Sequence, residues 1–314
     1  MKIGFLHEHP TWSDALIDCF AQNGIEPVLI NIAETPFATD APAFDVDLCV
    51  NRINIMPSHG RAPAVAAHTL HFLNWLEGSG TKVINGFQAH FAGASKAVQN
   101  GIFAGLDLDH PTAIAIYRPE DAPAAAERIG FPVIVKPNIG GSGSGIARFE
   151  DSDELQAAVE NGDLDLGIDG TGLVQEYIQS DGFVYRVEVL GDELFYGIRQ
   201  RIVENQFNYC AADGCSISLE GSPSEAEFDF CSLDSAGRIE PHEVPDGVLQ
   251  NVLKICRAAG AEVGGVEYFI RAESGSACFY DFNPYSNFVG EGKALFGFSP
   301  EQRFVDFVKA HLSD

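Results

Sequence analysis

Positive charge is what this sequence has least of: 19 lysines and arginines stand against 45 aspartates and glutamates, a formal net charge of −26 over 314 residues. Nucleic-acid binding rests on lysine and arginine neutralising phosphates, so that partner class is excluded. Long apolar runs are missing too. No stretch reaches the ~18 consecutive apolar residues of a membrane helix, and "MKIGFLHEHP" turns polar too soon for a signal peptide. Seven scattered cysteines, odd in number, make no disulfide framework. Cys210 and Cys215 are the one near pair, with no histidine close enough in sequence for a local zinc site. Together these absences point to a cytoplasmic protein in a reducing compartment, with no membrane or nucleic-acid partner. They leave a homo-oligomer open.

The familiar phosphate loops are also absent. In "FPVIVKPNIGGSGSGIARF" (131–149) Lys136 precedes the glycines, whereas a Walker A loop ends in Gly-Lys-Ser/Thr and opens a helix. A dinucleotide fingerprint likewise runs from strand into helix, but "IARF" is apolar and strand-like. This glycine run therefore joins two strands, with Lys136 at the end of the first.

What is there is alternation. "IGFLH", "PVLINI", "VDLCVNRI" and "KVIN" read as strands, separated by a helix burying Trp12, Leu16, Cys19 and Phe20 and another burying Val65, Leu70, Leu73 and Leu76. That pattern predicts a small parallel sheet flanked by helices. Helices follow near 95–104 and at "EDAPAAAERI", and Asp151 with Glu154 makes a capping box for the next. After "GLVQEYI" (172–178) long antiparallel strands appear, turning at Gly191-Asp192 and at 273–276. Ser299, Pro300 and Gln302 open the last helix.

Four features stand in fixed order: Lys96 opening a helix, Lys136 with its glycine loop, "LVQEYI", and "EYF…YDFN" near the C-terminus. Asp281 and Asn283, two apart on a strand, point the same way. Glu267 on a facing strand completes an oxygen set suited to Mg²⁺. With "NGFQAHFAGASK", "RVEVLGDELFYGIRQR" and "GGVEYF…DFNP", the chain resembles the ATP-grasp enzymes over nearly its whole length. Within them it is most similar to the RimK-type carboxylate–amine ligases.

The resemblance implies an α/β and α+β architecture: an N-terminal parallel α/β domain (1–93), then two α+β subdomains (94–178 and 179–314) enclosing the nucleotide. It implies that Lys96 and Lys136 hold ATP phosphates and that Gly140, Gly141, Ser142, Gly143, Ser144 and Gly145 close over them. Gln175, Glu176, Tyr177 and Ile178 would form the adenine-reading hinge, Glu176 through an acceptor side chain, with Asp181 the nearest carboxylate beyond it. Glu267, Asp281 and Asn283 would hold two Mg²⁺ ions. The implied reaction is ADP-forming: a carboxylate of an amino acid or short peptide becomes an acylphosphate, which an amine attacks.

Arg199 and Arg201 alternate along one strand and face one side together; with Arg186 they are candidates for gripping phosphate or carboxylate, though all three also suit cross-strand pairing with acids. His7, Glu8 and His9, and Arg52 with Asn54, follow strands of the first sheet, where α/β folds place ligands. The chain departs from the RimK pattern at "FNYC" (207–210), where that family carries an arginine and an asparagine, and has Gly265 where D-alanine ligases place an arginine. Rival readings are an ATP-grasp ligase that modifies peptide side chains or uses a non-amine nucleophile, and an ATP-binding regulator without turnover.

Overall fold

Short apolar strands punctuated by helices build the N-terminal part of the computed structural model, which describes residues 2–8, 13–40, 44–54, 64–141, 143–202, 239–285, 288–289 and 292–312. Strands β1 (Ile3–His7), β2 (Val28–Asn31), β3 (Leu48–Asn51) and β4 (Lys82–Ile84) form a parallel sheet in the order β2-β1-β3-β4. Helix α1 (Asp14–Gln22) buries Leu16, Cys19 and Phe20. It ends at Gly24, whose φ of +73° glycine adopts without strain. Helix α2 (Ala64–Gly78) buries Thr69, Phe72, Leu73 and Leu76. Phe72, not the expected Leu70, faces the sheet, because the stripe runs 69-72-73-76. Trp12 and His9 lie outside the described residues.

Helices α3 (Phe87–Ala94) and α4 (Lys96–Gly105) lead into a second sheet, wholly antiparallel: β5 (Ala113–Ile116), β6 (Val133–Pro137), β7 (Ala147–Phe149) and β8 (Gly172–Glu176), ordered β5-β8-β6-β7. It is backed by α5 (Ala122–Ile129) and α6 (Ser152–Asn161). Asp151 caps α6 by accepting from the N–H groups of Asp153 and Glu154, both at 3.0 Å. Glu154 reaches back to the N–H of Glu150, so the capping box closes one residue early.

The third sheet holds β9 (Phe183–Leu190), β10 (Glu193–Arg201), β11 (Ile239–Pro241), β12 (Val263–Ile270) and β13 (Ala277–Asn283) in the antiparallel order β11-β10-β9-β12-β13. Two of its strands carry an extra residue. β10 shifts register between Leu194 and Tyr196, and β13 carries Tyr280 unpaired between Phe279 and Asp281. Each bulge reverses which side chains face which side of the sheet.

One face of this sheet packs Val187, Val189, Val266 and Phe279 against Val252, Ile255 and Cys256 of α7 (Asp246–Ala258). At one end of the other face, Tyr196 and Ile198 share a core with Phe5, Phe20 and Val50 of the first sheet's layer. Phe304, Val305 and Val308 of α8 (Pro300–His311) complete that core. The remainder of that second face is left to line a cleft.

Candidate active site

Three neighbouring strands set the cleft's floor. Arg186 on β9 pairs with Glu267 on β12, and Glu267 pairs with Asp281 on β13, so the three form one row across the sheet. The next row is Glu188, Gly265 and Asn283. Strand alternation puts both rows on the same face. The bulge adds a further side chain: Tyr280 turns to this side, donates its O–H to Glu267 Oε2, and stacks on Phe269 at 4.3 Å.

Two lysines arrive from above. Lys96 is the first residue of α4, whose cap Ser95 accepts from the Val98 N–H at 3.3 Å. Asn138, just past β6, fixes that helix start: its Oδ1 accepts from Ser95 Oγ and the Ala97 N–H, both at 3.0 Å. Lys96 Nζ then reaches Asp281 Oδ1 at 2.7 Å. Lys136 on β6 is 4% exposed. Burial, then the nearby Lys96 charge, push its ammonium down to about 7, with Asp281 opposing them. A buried lysine with so little local compensation is suited to an anionic ligand.

The glycine run completes the roof. Gly140, Gly141, Gly143 and Ser144 line the cleft, while Gly145 backs it. Gly145 has φ +71°, and a Cβ there would sit 2.8 Å from Pro137 and 2.9 Å from Asp165. Only glycine suits both constraints. Ser142 lies outside the described residues. An apolar compartment follows, walled by Ile134, Ile146, Ile178 and Phe269 and edged by Gln175, Glu176 and Tyr177. Gln175 Oε1 is buried without a hydrogen-bond partner among the described residues. Asn54, Gly93, Arg186 and Asn283 also line the cleft.

The hinge differs from expectation in one respect. The Glu176 carboxylate accepts from Arg271 Nη1 at 2.7 Å and from the Thr112 N–H at 3.1 Å. Arg271 also holds Asp109, at 3.0 Å. Glu176 therefore ties the second sheet to the third, and its side chain is committed; Gln175 offers the open acceptor. Asp181 does not line the cleft: it accepts from the Tyr185 hydroxyl at 2.6 Å and the Phe183 N–H at 3.2 Å.

The grouping of three arginines is corrected. Arg199 and Arg201 do share a face, both over the Phe183 ring at 4.7 and 4.9 Å. That face is the one away from Arg186 and the cleft, since Ile198 and Gln200 are the residues in register with Arg186 and Val184. Arg199 instead pairs with Glu240 on β11, at 2.8 Å. The bulge on β10 is the reason: counted straight back from the Gly191 turn, Arg199 would have fallen on the side of Arg186.

Arg186 is held on both sides. Glu188 Oε1 accepts from its Nε at 2.6 Å, and Glu267 Oε1 lies 3.8 Å from its Nη1. Burial opposes the guanidinium charge, but Glu188 and then Glu267 outweigh it and keep Arg186 protonated. Burial, then Asp281, raise the Glu267 carboxyl above its usual range. Elsewhere, His7 at the end of β1 is buried, which lowers its imidazole, and Arg52 sits over Phe288 and Phe304 at 5.1 and 5.8 Å. Neither lines the cleft. "FNYC" lies outside the described residues.

Among the described residues no three His, Cys, Asp or Glu side chains cluster as a metal site. The oxygen set here is two carboxylates and an amide. Asn283 Oδ1 takes one N–H, from Tyr285 at 2.9 Å, which leaves a second lone pair. Hard oxygen donors of this kind fit Mg²⁺.

Residues 95–218 match the model of the RimK-like ATP-grasp domain. The chain is 27% identical over 214 residues to a glutamate–LysW ligase, ArgX, of Sulfurisphaera tokodaii, covering 66% of this chain and 68% of that protein. It is 37% identical over 117 residues to a D-alanine–D-alanine ligase of Xanthomonas axonopodis pv. citri, covering 36% of this chain and only 35% of the relative. In three dimensions it resembles a RimK domain ATP-grasp protein from Sphaerobacter thermophilus, with TM-score 0.68 at 19% identity over 98% of this chain and all of that one.

Proposed function

We infer that the chain is a RimK-like ATP-grasp enzyme, as the family match over residues 95–218 and the similarity to a glutamate–LysW ligase support, and that it is an ADP-forming ligase joining a carboxylate to an amine on an amino acid or short peptide. One observation carries the reading: two lysines, a glycine roof and three oxygen donors converge on a single cleft that also holds an apolar compartment with an open acceptor. The adenine would lie against Ile134, Ile146 and Phe269, giving its amino hydrogen to Gln175 Oε1. The phosphates would lie under the glycines, between Lys136 and Lys96. Residues 1–93, 94–178 and 179–314 are the units that close around it.

In the first step an oxygen of the substrate carboxylate attacks the γ-phosphorus and the bond to ADP breaks, leaving an acylphosphate. In the second the amine nitrogen attacks the acyl carbon, phosphate departs with the bonding electrons, and the nitrogen loses a proton. Glu267, Asp281 and Asn283 would hold two Mg²⁺ ions, which supply charge neutralisation at the transferring phosphoryl group when bound. Arg186, in one row with Glu267 and Asp281 on the cleft's floor, would grip the reacting carboxylate or acylphosphate. A net charge of −26 disfavours an acidic protein as acceptor and suits a small or neutral one.

The test is a panel of amino acids and dipeptides, offered singly and in pairs with ATP and Mg²⁺. Phosphate and ADP should appear for particular pairs and not for either member alone. Nucleotide binding without turnover across the whole panel would favour the regulatory reading instead.

A further inference from the structure

Glu188 is a fully buried carboxylate, 0% exposed, with no place in the chemistry above. Burying a charge is costly unless it is paired, and a buried pair seldom adds stability over apolar packing. Its cost calls for another reason. Glu188 stands two residues from Arg186 on β9, on the same face, and holds the Nε edge at 2.6 Å with Nη2 equally close. Glu267, the other anion beside this guanidinium, is at 3.8 Å. Gly265 is part of the arrangement. A Cβ there would collide with the Glu188 carboxylate and lie 3.1 Å from Arg186 Nε. The absent side chain on the middle strand is thus what lets Glu188 lie flat beside Arg186.

We infer that Glu188 is a positioning residue: seated over Gly265, it draws Arg186 away from Glu267, leaving Glu267 Oε1 for the metal and the outer edge of the guanidinium for the substrate. The inference rests on the ligase reading, in which Glu267 is a metal ligand. Without Glu188, the guanidinium has one strong neighbour left and closes on Glu267, so a residue that touches neither nucleotide nor metal controls both.

The test uses the full chain, Mn²⁺ as the metal and AMPPNP as the nucleotide, with bound Mn²⁺ read by electron paramagnetic resonance. In Glu188→Gln, which keeps shape and removes charge, Mn²⁺ affinity in the AMPPNP complex should fall about tenfold or more, one salt-bridge-sized contact. In Arg186→Gln/Glu188→Gln the affinity should return to within about threefold of Arg186→Gln alone, because the competitor is gone. Gly265→Ala, which moves Glu188 without altering charge, should show the same fall as Glu188→Gln and serves if that variant does not fold. Unchanged Mn²⁺ affinity in a folded Glu188→Gln or Gly265→Ala variant overturns the inference. So does an equal fall with and without Arg186. Wild-type protein that binds no AMPPNP at all would overturn the ligase reading itself, and this inference with it.

Discussion

Lys96 Nζ lies 2.7 Å from Asp281 Oδ1, joining the first residue of α4 to a strand 185 residues further along the chain. The side chains are only 13% and 26% exposed. One cation of the proposed phosphate site is therefore already bonded to one oxygen donor of the proposed metal site, and a single contact would link the two functions.

Lys96→Met separates them. Losing a unit positive charge next to Asp281 should tighten Mn²⁺ binding to the nucleotide-free protein about tenfold, well within the ~4 kcal/mol of a pair at ~4 Å and intermediate dielectric. The same change should weaken ATP binding about tenfold or more through the lost charge-assisted contact. Paramagnetic resonance and calorimetry on one preparation give both numbers. Changes of the same sign would contradict the linkage.

Lys136 makes a prediction in pH. Burial pushes its ammonium down to about 7 in the folded chain, from the 10.5 of an ordinary lysine. A depressed pKa means the associated stability is present above about 10.5 and is lost as pH falls towards about 7. Lys136→Met should thus raise the Tm of the nucleotide-free protein at neutral pH while weakening nucleotide binding. Because phosphates favour the ammonium form, ATP binding near pH 8 should also take up a proton. The binding enthalpy of the wild type would then vary with the ionisation heat of the buffer, and that of Lys136→Met would not. An enthalpy independent of buffer would remove the lysine from the phosphate site.

The two faces of the third sheet predict unequal arginines. Arg186→Lys should lower the ligation rate by about a hundredfold or more, the loss typical of one donor at a reacting oxyanion. Arg199→Ala and Arg201→Ala should stay within about threefold of wild type, as exposed pairs and ring contacts do. Single-turnover measurements with ATP saturating rank the three. A large loss at Arg199 alone would mean that its pairing with Glu240 is exchanged for substrate during the reaction.

This contrast also shows where the sequence stops being readable. The spacing of Asp281 and Asn283, the lysine before the glycines, and the turns at Gly191 and Gly275 depend on local geometry, and the structure has them where the periodicity put them. What periodicity does not carry is a single extra residue. The bulge near Phe195 moved Arg199 and Arg201 to the far face, and the one at Tyr280 brought a tyrosine hydroxyl onto Glu267. Nothing in either strand's composition marks those positions. Glu176 illustrates a second limit: its partner Arg271 is remote in sequence, so the engaged carboxylate was not foreseeable.

The central claim is the acylphosphate, and oxygen-18 in the substrate carboxylate tests it most directly. With the best pair from the amino-acid panel, the phosphate released should carry one labelled oxygen and the nucleotide product should be ADP. Label retained wholly in the amide product and remaining substrate, or the appearance of AMP, would contradict the account.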